Sequence, residues 1–163
     1  MSTLVPILID VHDPVTKSQI CNKILRELPE WFGIESAIID YVEDVKDMSF
    51  CSATLGGEIV GFVALEDHNP FTSEIYVMGV LREHHRQGIG RELVSWCEQC
   101  CQHGGREYLT VKTLDESRVN QAYANTRQFY TSVGFLPVEV FPNLWSADNP
   151  CLMMVKHACQ FAA

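Results

Sequence analysis

Between Ser73 and Leu93 the hydrophobic period changes from two to about 3.6 across one short basic loop. Ser73 to Val80 is β-rich, Leu81 to Gln87 is polar and cationic, and Gly88-Ile89-Gly90 opens a helical stripe of Ile89, Leu93, Trp96, Cys97 and Cys100. That stripe runs to Gly104-Gly105, a common way for a helix to end. Tyr108 to Leu114 then reads as a further strand. A strand, helix and strand in succession must return through a right-handed parallel crossover. The segment therefore predicts a sheet with a parallel strand pair and a helix on its face.

The rest of the pattern surrounds this unit. Val5 to Val11 reads as a first strand ended by Asp13-Pro14, and Ile20, Ile24, Leu25 and Leu28 as a helix stopped by Pro29. A second helical stripe, Ile34, Ile38, Tyr41, Val42 and Val45, follows Gly33. Phe50 to Leu55 and Glu58 to Leu65 form a hairpin across Gly56-Gly57, a pair suited to a primed turn. A break at Asn69-Pro70 precedes the strand that reaches Val80. After Leu114, the stripe Ala122, Thr126, Phe129, Tyr130 and Val133 closes at Gly134, and Phe135 to Phe141 and Cys151 to Lys156 read as two final strands. Trp145, with Pro142 and Pro150, marks an irregular loop between them. The order β-α-α-β-β-β-α-β-α-β-β predicts a mixed α/β (α+β) domain: a mostly antiparallel sheet with a parallel central pair, flanked by helices. With no repeat or linker, residues 1–163 read as a single domain.

Seven cysteines, Cys21, Cys51, Cys97, Cys100, Cys101, Cys151 and Cys159, are an odd set with no signal-like leader, and read as reduced, mostly buried thiols. Cys97-x-x-Cys100 lies inside the long helix without a second zinc-spaced pair, so no metal is expected despite His103 nearby. His12, His68, His103 and His157 are scattered and suggest no ligand set. No apolar run reaches the ~18 residues of a membrane span, and the N-terminus lacks a basic leader, so a cytoplasmic protein without a membrane partner is expected. The net charge of −9 disfavours a nucleic-acid partner. Acidity is concentrated in residues 1–70, with 12 acidic against 4 basic side chains, while residues 71–163 carry 9 and 8.

The loop at 82–91 holds Arg82, His84, His85, Arg86 and Arg91 in an otherwise acidic chain. Glycines admit close approach of a ligand to backbone amides, and a helix N-terminus adds its dipole, so the loop suits a pyrophosphate. A P-loop would need Gly-Lys-Ser/Thr, whereas Gly90 is followed by Arg91-Glu92. A dinucleotide fingerprint would need a small residue where Leu93 stands, although Asp115 lies at the distance of a ribose-binding acid. A plain glycine turn between strand and helix is the remaining reading of the loop.

His85-Arg86-Gln87-Gly88-Ile89-Gly90 at a strand–helix junction resembles the Arg/Gln-x-x-Gly-x-Gly/Ala signature of the GNAT superfamily of N-acetyltransferases, departing only where His85 replaces Arg or Gln. About 40 residues on, Phe129-Tyr130-Thr-Ser-Val-Gly134-Phe135 resembles the family's aromatic helix with Tyr ahead of Gly-Phe. The resemblance covers residues 50–156, and 1–49 in pattern. It implies acetyl-CoA as cosubstrate in a cleft where the parallel strands splay. The backbone of Met78, Gly79 and Val80 would pair with the pantetheine arm, the Met78 amide would stabilise the oxyanion, and the amides of Arg86, Gln87, Gly88, Ile89, Gly90 and Arg91 would hold the pyrophosphate. It further implies Glu74 or a water relay as base and Tyr130 as the acid that protonates the CoA thiolate. Where many members carry Asn, seven residues before Tyr130, this chain has Tyr123; Asn120 and Asn125 lie close by without an assigned role.

The implied activity is acetyl transfer to a primary amine by direct attack. Trp31, Phe32, Glu35, Asp40, Glu43 and Asp44 on the first two helices would give an aromatic and acidic wall suited to a small cationic acceptor; a solvated acidic helix face with a buried Trp reads equally well. Transfer to a protein N-terminus or lysine, and a silent CoA-binding module, stay open beside this reading, as does a homodimer.

Overall fold

The computed structural model describes residues 4–158. Strands β1 (Ile7–Asp10), β2 (Ser49–Leu55), β3 (Glu58–Asn69), β4 (Thr72–Val80), β5 (Tyr108–Leu114), β6 (Leu136–Ser146) and β7 (Asn149–His157) hydrogen-bond in the order β1-β2-β3-β4-β5-β7-β6. Helices α1 (Pro14–Arg26), α2 (Glu35–Asp44), α3 (Ile89–His103) and α4 (Gln121–Ser132) complete the expected element order. β4 and β5 run parallel from Thr72↔Tyr108 to Ile75↔Val111. The pairs β1–β2, β2–β3, β5–β7 and β6–β7 are antiparallel. The fold is thus the mixed α/β class expected from the strand–helix–strand unit. The chain divides into two compact units, residues up to 66 with 76–97, and 67–75 with 98 onward.

In the first unit, Asp13 caps α1: its Oδ2 accepts the Thr16 amide at 2.9 Å and the Thr16 hydroxyl at 2.7 Å, with Pro14 starting the helix. The buried stripe Ile20, Ile24, Leu25 and Leu28 faces inward as the spacing requires. Lys17 is buried too, and its ammonium donates to the Met48 carbonyl at 2.6 Å. Gly56 and Gly57 both have positive φ, 58° and 86°, as a type I′ hairpin turn demands. Phe50 and Phe62 stack at 5.2 Å in the core beside them. A Cβ on Gly79 would lie 3.0 Å from Ile24 and 3.1 Å from Leu28, and one on Gly61 would lie 3.0 Å from the Gly79 carbonyl. The two glycines therefore let β3, β4 and α1 close on one another.

In the second unit, Leu109, Phe135 and Met154 are fully buried, and Lys156 pairs with Glu98 and donates to the Val133 carbonyl. Two expectations need correction. The segment with Pro142 and Trp145 is not an irregular loop but the end of β6, with a register shift between Phe141 and Ser146. β6 is the last strand in the order, so its prolines forfeit no second ladder. The expected strand Glu58 to Leu65 continues to Asn69. The charged tail of β3 is kept extended by its partners: Asp67 accepts from Ser73 Oγ at 2.6 Å and pairs with Arg106 at 3.1 Å.

Of the cysteines, Cys21, Cys51, Cys97, Cys101 and Cys151 are buried and Cys100 is half-buried; Cys159 lies outside the described residues. Burial pushes the Cys21 thiol up to about 12 and that of Cys151 up to about 11, from an ordinary 9.0. Unfolded thiols then ionise first as pH rises, so the stability owed to these buried thiols is complete below pH 9 and is lost progressively toward pH 11. Melting temperatures measured across that window are expected to fall, and the fall should be shallower in a Cys21→Ala/Cys151→Ala variant.

Candidate active site

Alternation along β4 sends Ser73, Ile75, Val77 and Gly79 to a buried face and Glu74, Tyr76, Met78 and Val80 to the other. Of this second set Glu74 is buried, while Tyr76, Met78 and Val80 are half-buried. Gly79 is a packing glycine whose missing side chain admits α1, a role its place in a backbone-binding segment did not suggest.

Past Val80 the chain turns sharply. Leu81 N–H donates to the Val60 carbonyl at 2.8 Å, and a short 3-10 turn follows over Arg82–His84. Arg86 then adopts φ 61° and Gly88 φ 85° before α3 begins at Ile89. A left-handed Arg is uncommon and marks a backbone bent for a purpose. Left-handed residues just ahead of a helix of 15 residues turn successive amides toward one side, an anion-binding geometry. The side chains divide unevenly. Arg82 pairs with Glu30. His85 Nε2 donates to the Val80 carbonyl at 2.6 Å, with its ring 5.5 Å from Trp31, edge to face. Gln87 donates to the Glu83 carbonyl. Arg86 and Arg91 are exposed and form no ion pair among the described residues. Of the three arginines of the loop, Arg86 and Arg91 are thereby the ones left exposed without an ion pair among the described residues.

The acidic and aromatic residues of the first two helices are also sorted. Phe32 lies edge-on to Tyr41 at 5.9 Å, and Tyr41 to Tyr76 at 5.4 Å. The Tyr76 hydroxyl donates to the Asp44 carboxylate. Burial, reinforced by that carboxylate, pushes the Tyr76 phenol well above its ordinary range, so it stays a hydrogen-bond donor. By contrast Glu35 is spent on Arg26 and Glu43 on Lys46, both at the surface. Asp40 is exposed. Tyr41 and Tyr76 were not legible as site residues, because at the sequence level each is one member of an apolar stripe.

In the second unit Glu74 is buried and its carboxylate meets two partners: Lys112 Nζ at 2.9 and 3.0 Å from its two oxygens, and His68 Nε2 at 2.6 Å from Oε1. Burying a carboxylate demands such compensation. Tyr130 is buried on α4, its ring 5.4 Å from both Phe129 and Phe135. Asn120 caps α4 by accepting the Tyr123 amide at 3.1 Å, and Asn125 accepts from Gln121. Asp115 forms a local turn, accepting from the Ser117 amide and hydroxyl, which lowers its carboxyl below the usual range. That turn is the role the structure gives the residue considered as a ribose-binding acid. His103 bonds through Nδ1 to the Gln99 carbonyl of its own helix.

No curated protein matches the sequence. Among solved structures, a GNAT-family protein from Desulfovibrio desulfuricans superimposes with a TM-score of 0.80 at 16% identity, covering 95% of this chain and 100% of that one. An aminoglycoside 6'-N-acetyltransferase complexed with coenzyme A gives 0.73 at 20% identity, with 98% and 99% covered. The ribosomal-protein-S18-alanine N-acetyltransferase from Escherichia coli gives 0.75 at 14%, with 97% of each chain covered. At such identities the likeness establishes the fold alone. No described helix is long and apolar enough to cross a membrane. Residues 46–137, more than half of the chain, match the acetyltransferase (GNAT) domain family, which takes in β4, the glycine junction, α3 and Tyr130. The chain belongs to the GNAT family of N-acetyltransferases, enzymes whose cosubstrate is acetyl-CoA.

Proposed function

We propose that this chain transfers the acetyl group of acetyl-CoA to a primary amine of a small cationic molecule, by direct attack, in the cytoplasm. The observation that carries the cofactor half is the junction itself: Arg86 and Gly88 in the left-handed region, followed at once by the N-terminus of α3. Amides of residues 86–91 hold the pyrophosphate there, with Arg86 and Arg91 as counter-charges. Met78, Gly79 and Val80 lie along the pantetheine arm; the His85 bond already occupies the Val80 carbonyl, so the arm is read by the remaining backbone groups. The Met78 amide faces the thioester oxygen and stabilises the tetrahedral oxyanion. β3 and β4 each contribute residues to both compact units, which supports one working domain over the whole chain.

The acceptor half rests on Asp44 with Phe32, Tyr41 and Tyr76. A carboxylate beside aromatic rings favours an ammonium through charge and through the ring quadrupole. A neutral amine is the nucleophile, and an alkyl ammonium with a pKa near ~10 must lose a proton first. Glu74 supplies the carboxylate of the base. As the intermediate collapses, Tyr130 gives its proton to the departing thiolate, a phenol being matched to a thiol of pKa ~8.5. Reduced, buried cysteines fit the cytoplasm. Exposed Leu136, Val138, Val140 and Leu144 on the edge strand β6 support a homodimer joined there.

Three variants test the reading. Gly88→Val forces a β-branched residue to φ 85°, and is expected to abolish the thermal stabilisation that acetyl-CoA gives the wild type, while NADH and ATP stabilise neither. Tyr130→Phe should lower kcat by about 10²-fold and leave the acetyl-CoA Kd unchanged; an unaltered kcat would remove Tyr130 from the mechanism. Asp44→Asn should raise KM for diamines and other cationic amines by about tenfold, with little change in kcat or for neutral amines. Equal turnover of protein N-termini by both forms would favour a protein acceptor instead.

A further inference from the structure

The base assigned to Glu74 is crowded. Its side chain is 6% exposed, Oε1 accepts from both Lys112 and His68, and Oε2 accepts from Lys112. An oxygen so engaged gives a fresh proton poor access. His68 is differently placed: its side chain is 39% exposed, and its Nε2 lies 2.6 Å from Glu74 Oε1. An ionised carboxylate only accepts hydrogen bonds, so Nε2 carries the hydrogen, and in the neutral ring the lone pair is on Nδ1. A carboxylate fixing one imidazole nitrogen so that the other is basic is the arrangement of a general base with its orienting group.

Resting on the acetyltransferase reading above, we propose that His68 Nδ1 takes the proton of the acceptor ammonium through water, with Glu74 and Lys112 as positioning residues. The ammonium loses one proton, its N–H electron pair remains on nitrogen as the attacking lone pair, and the neutral imidazole becomes imidazolium. Glu74 stabilises that charge, Lys112 fixes the carboxylate, and the proton leaves from Nδ1 to bulk water. The charged groups near the ring are Glu74 from β4, with Lys112 of β5 on it, and Glu66 on β3 itself, whose carboxylate, the imidazole and Glu74 lie within 4.8 Å of one another; the neighbouring Asp67 is engaged by Ser73 and Arg106. The pair escaped sequence reasoning because the five residues between His68 and Glu74 include the Asn69-Pro70 break, across which no spacing rule applies.

The test is kcat/KM against pH for the full chain with saturating acetyl-CoA and a diamine acceptor. Wild type is expected to lose activity on an acid limb, where the imidazole takes up its second proton. His68→Ala and His68→Gln should be slower by about 10²-fold at neutral pH and lack that limb. Added imidazole should restore part of the rate to His68→Ala but not to His68→Gln, which a merely structural role would not produce. Glu74→Gln should move the limb to lower pH, since the imidazolium loses its anionic partner. Variants that keep the wild-type rate and limb would overturn the role of His68 while leaving the transferase reading intact. A wild-type chain that turns over no amine would overturn both.

Discussion

The arrangement of β4 depends on a side chain that is not there. Gly79 allows Ile24 of α1 and Leu28 just beyond it to lie against the strand, and its carbonyl would be 3.0 Å from a Cβ on Gly61. A Cβ at 79 would require those side chains to give by a few tenths of an ångström, against an α1 that Lys17 holds through its buried ammonium on the Met48 carbonyl. Close approach of helix and strand is therefore set by two glycines, and the half-buried side chains on the opposite face of β4 inherit their positions from it.

Electrostatics divides labour in a similar way. A buried carboxylate is stable only with its lone pairs satisfied, and Glu74 has a cation on both oxygens and an imidazole on one. Cys151, buried on β7, feels both the Lys112 charge, which opposes the upward push of its thiol, and the Glu74 charge, which adds to it. At the glycine junction the opposite holds. There Arg82 is matched with Glu30, while Arg86 and Arg91 are exposed beside the backbone amides. One ion cluster is closed on itself; at the other, Arg86 and Arg91 form no ion pair among the described residues.

Most of the fold was legible because it is carried by period and punctuation. Gly56-Gly57, the Gly88 turn and the Gly134 stop each fall at positive φ, a backbone conformation that favours glycine. The two misread segments share a cause. The end of β3 and the end of β6 carry charges, prolines and an exposed Trp145, so their strand character comes from partners distant in sequence rather than from alternation. The candidate site divides along the same line. The junction residues follow from local order along the chain, whereas His68, Lys112, Tyr41 and Tyr76 become relevant only through tertiary neighbours. Conversely, Glu35 and Glu43 looked available on a helix face and proved to be matched locally with Arg26 and Lys46.

The strict alternation of β4 limits how such a protein can diversify. A one-residue insertion or deletion anywhere between Thr72 and Val80 would rotate every later side chain to the wrong face, exchanging Tyr76 and Met78 with Val77 and Gly79. Chemistry and core would be lost together, because the strand uses both faces without a spare position. Descendants of this chain can vary the half-buried residues 76 and 78 one at a time, or lengthen the loops at either end, and keep the alternation, whereas a change in the strand's length does not.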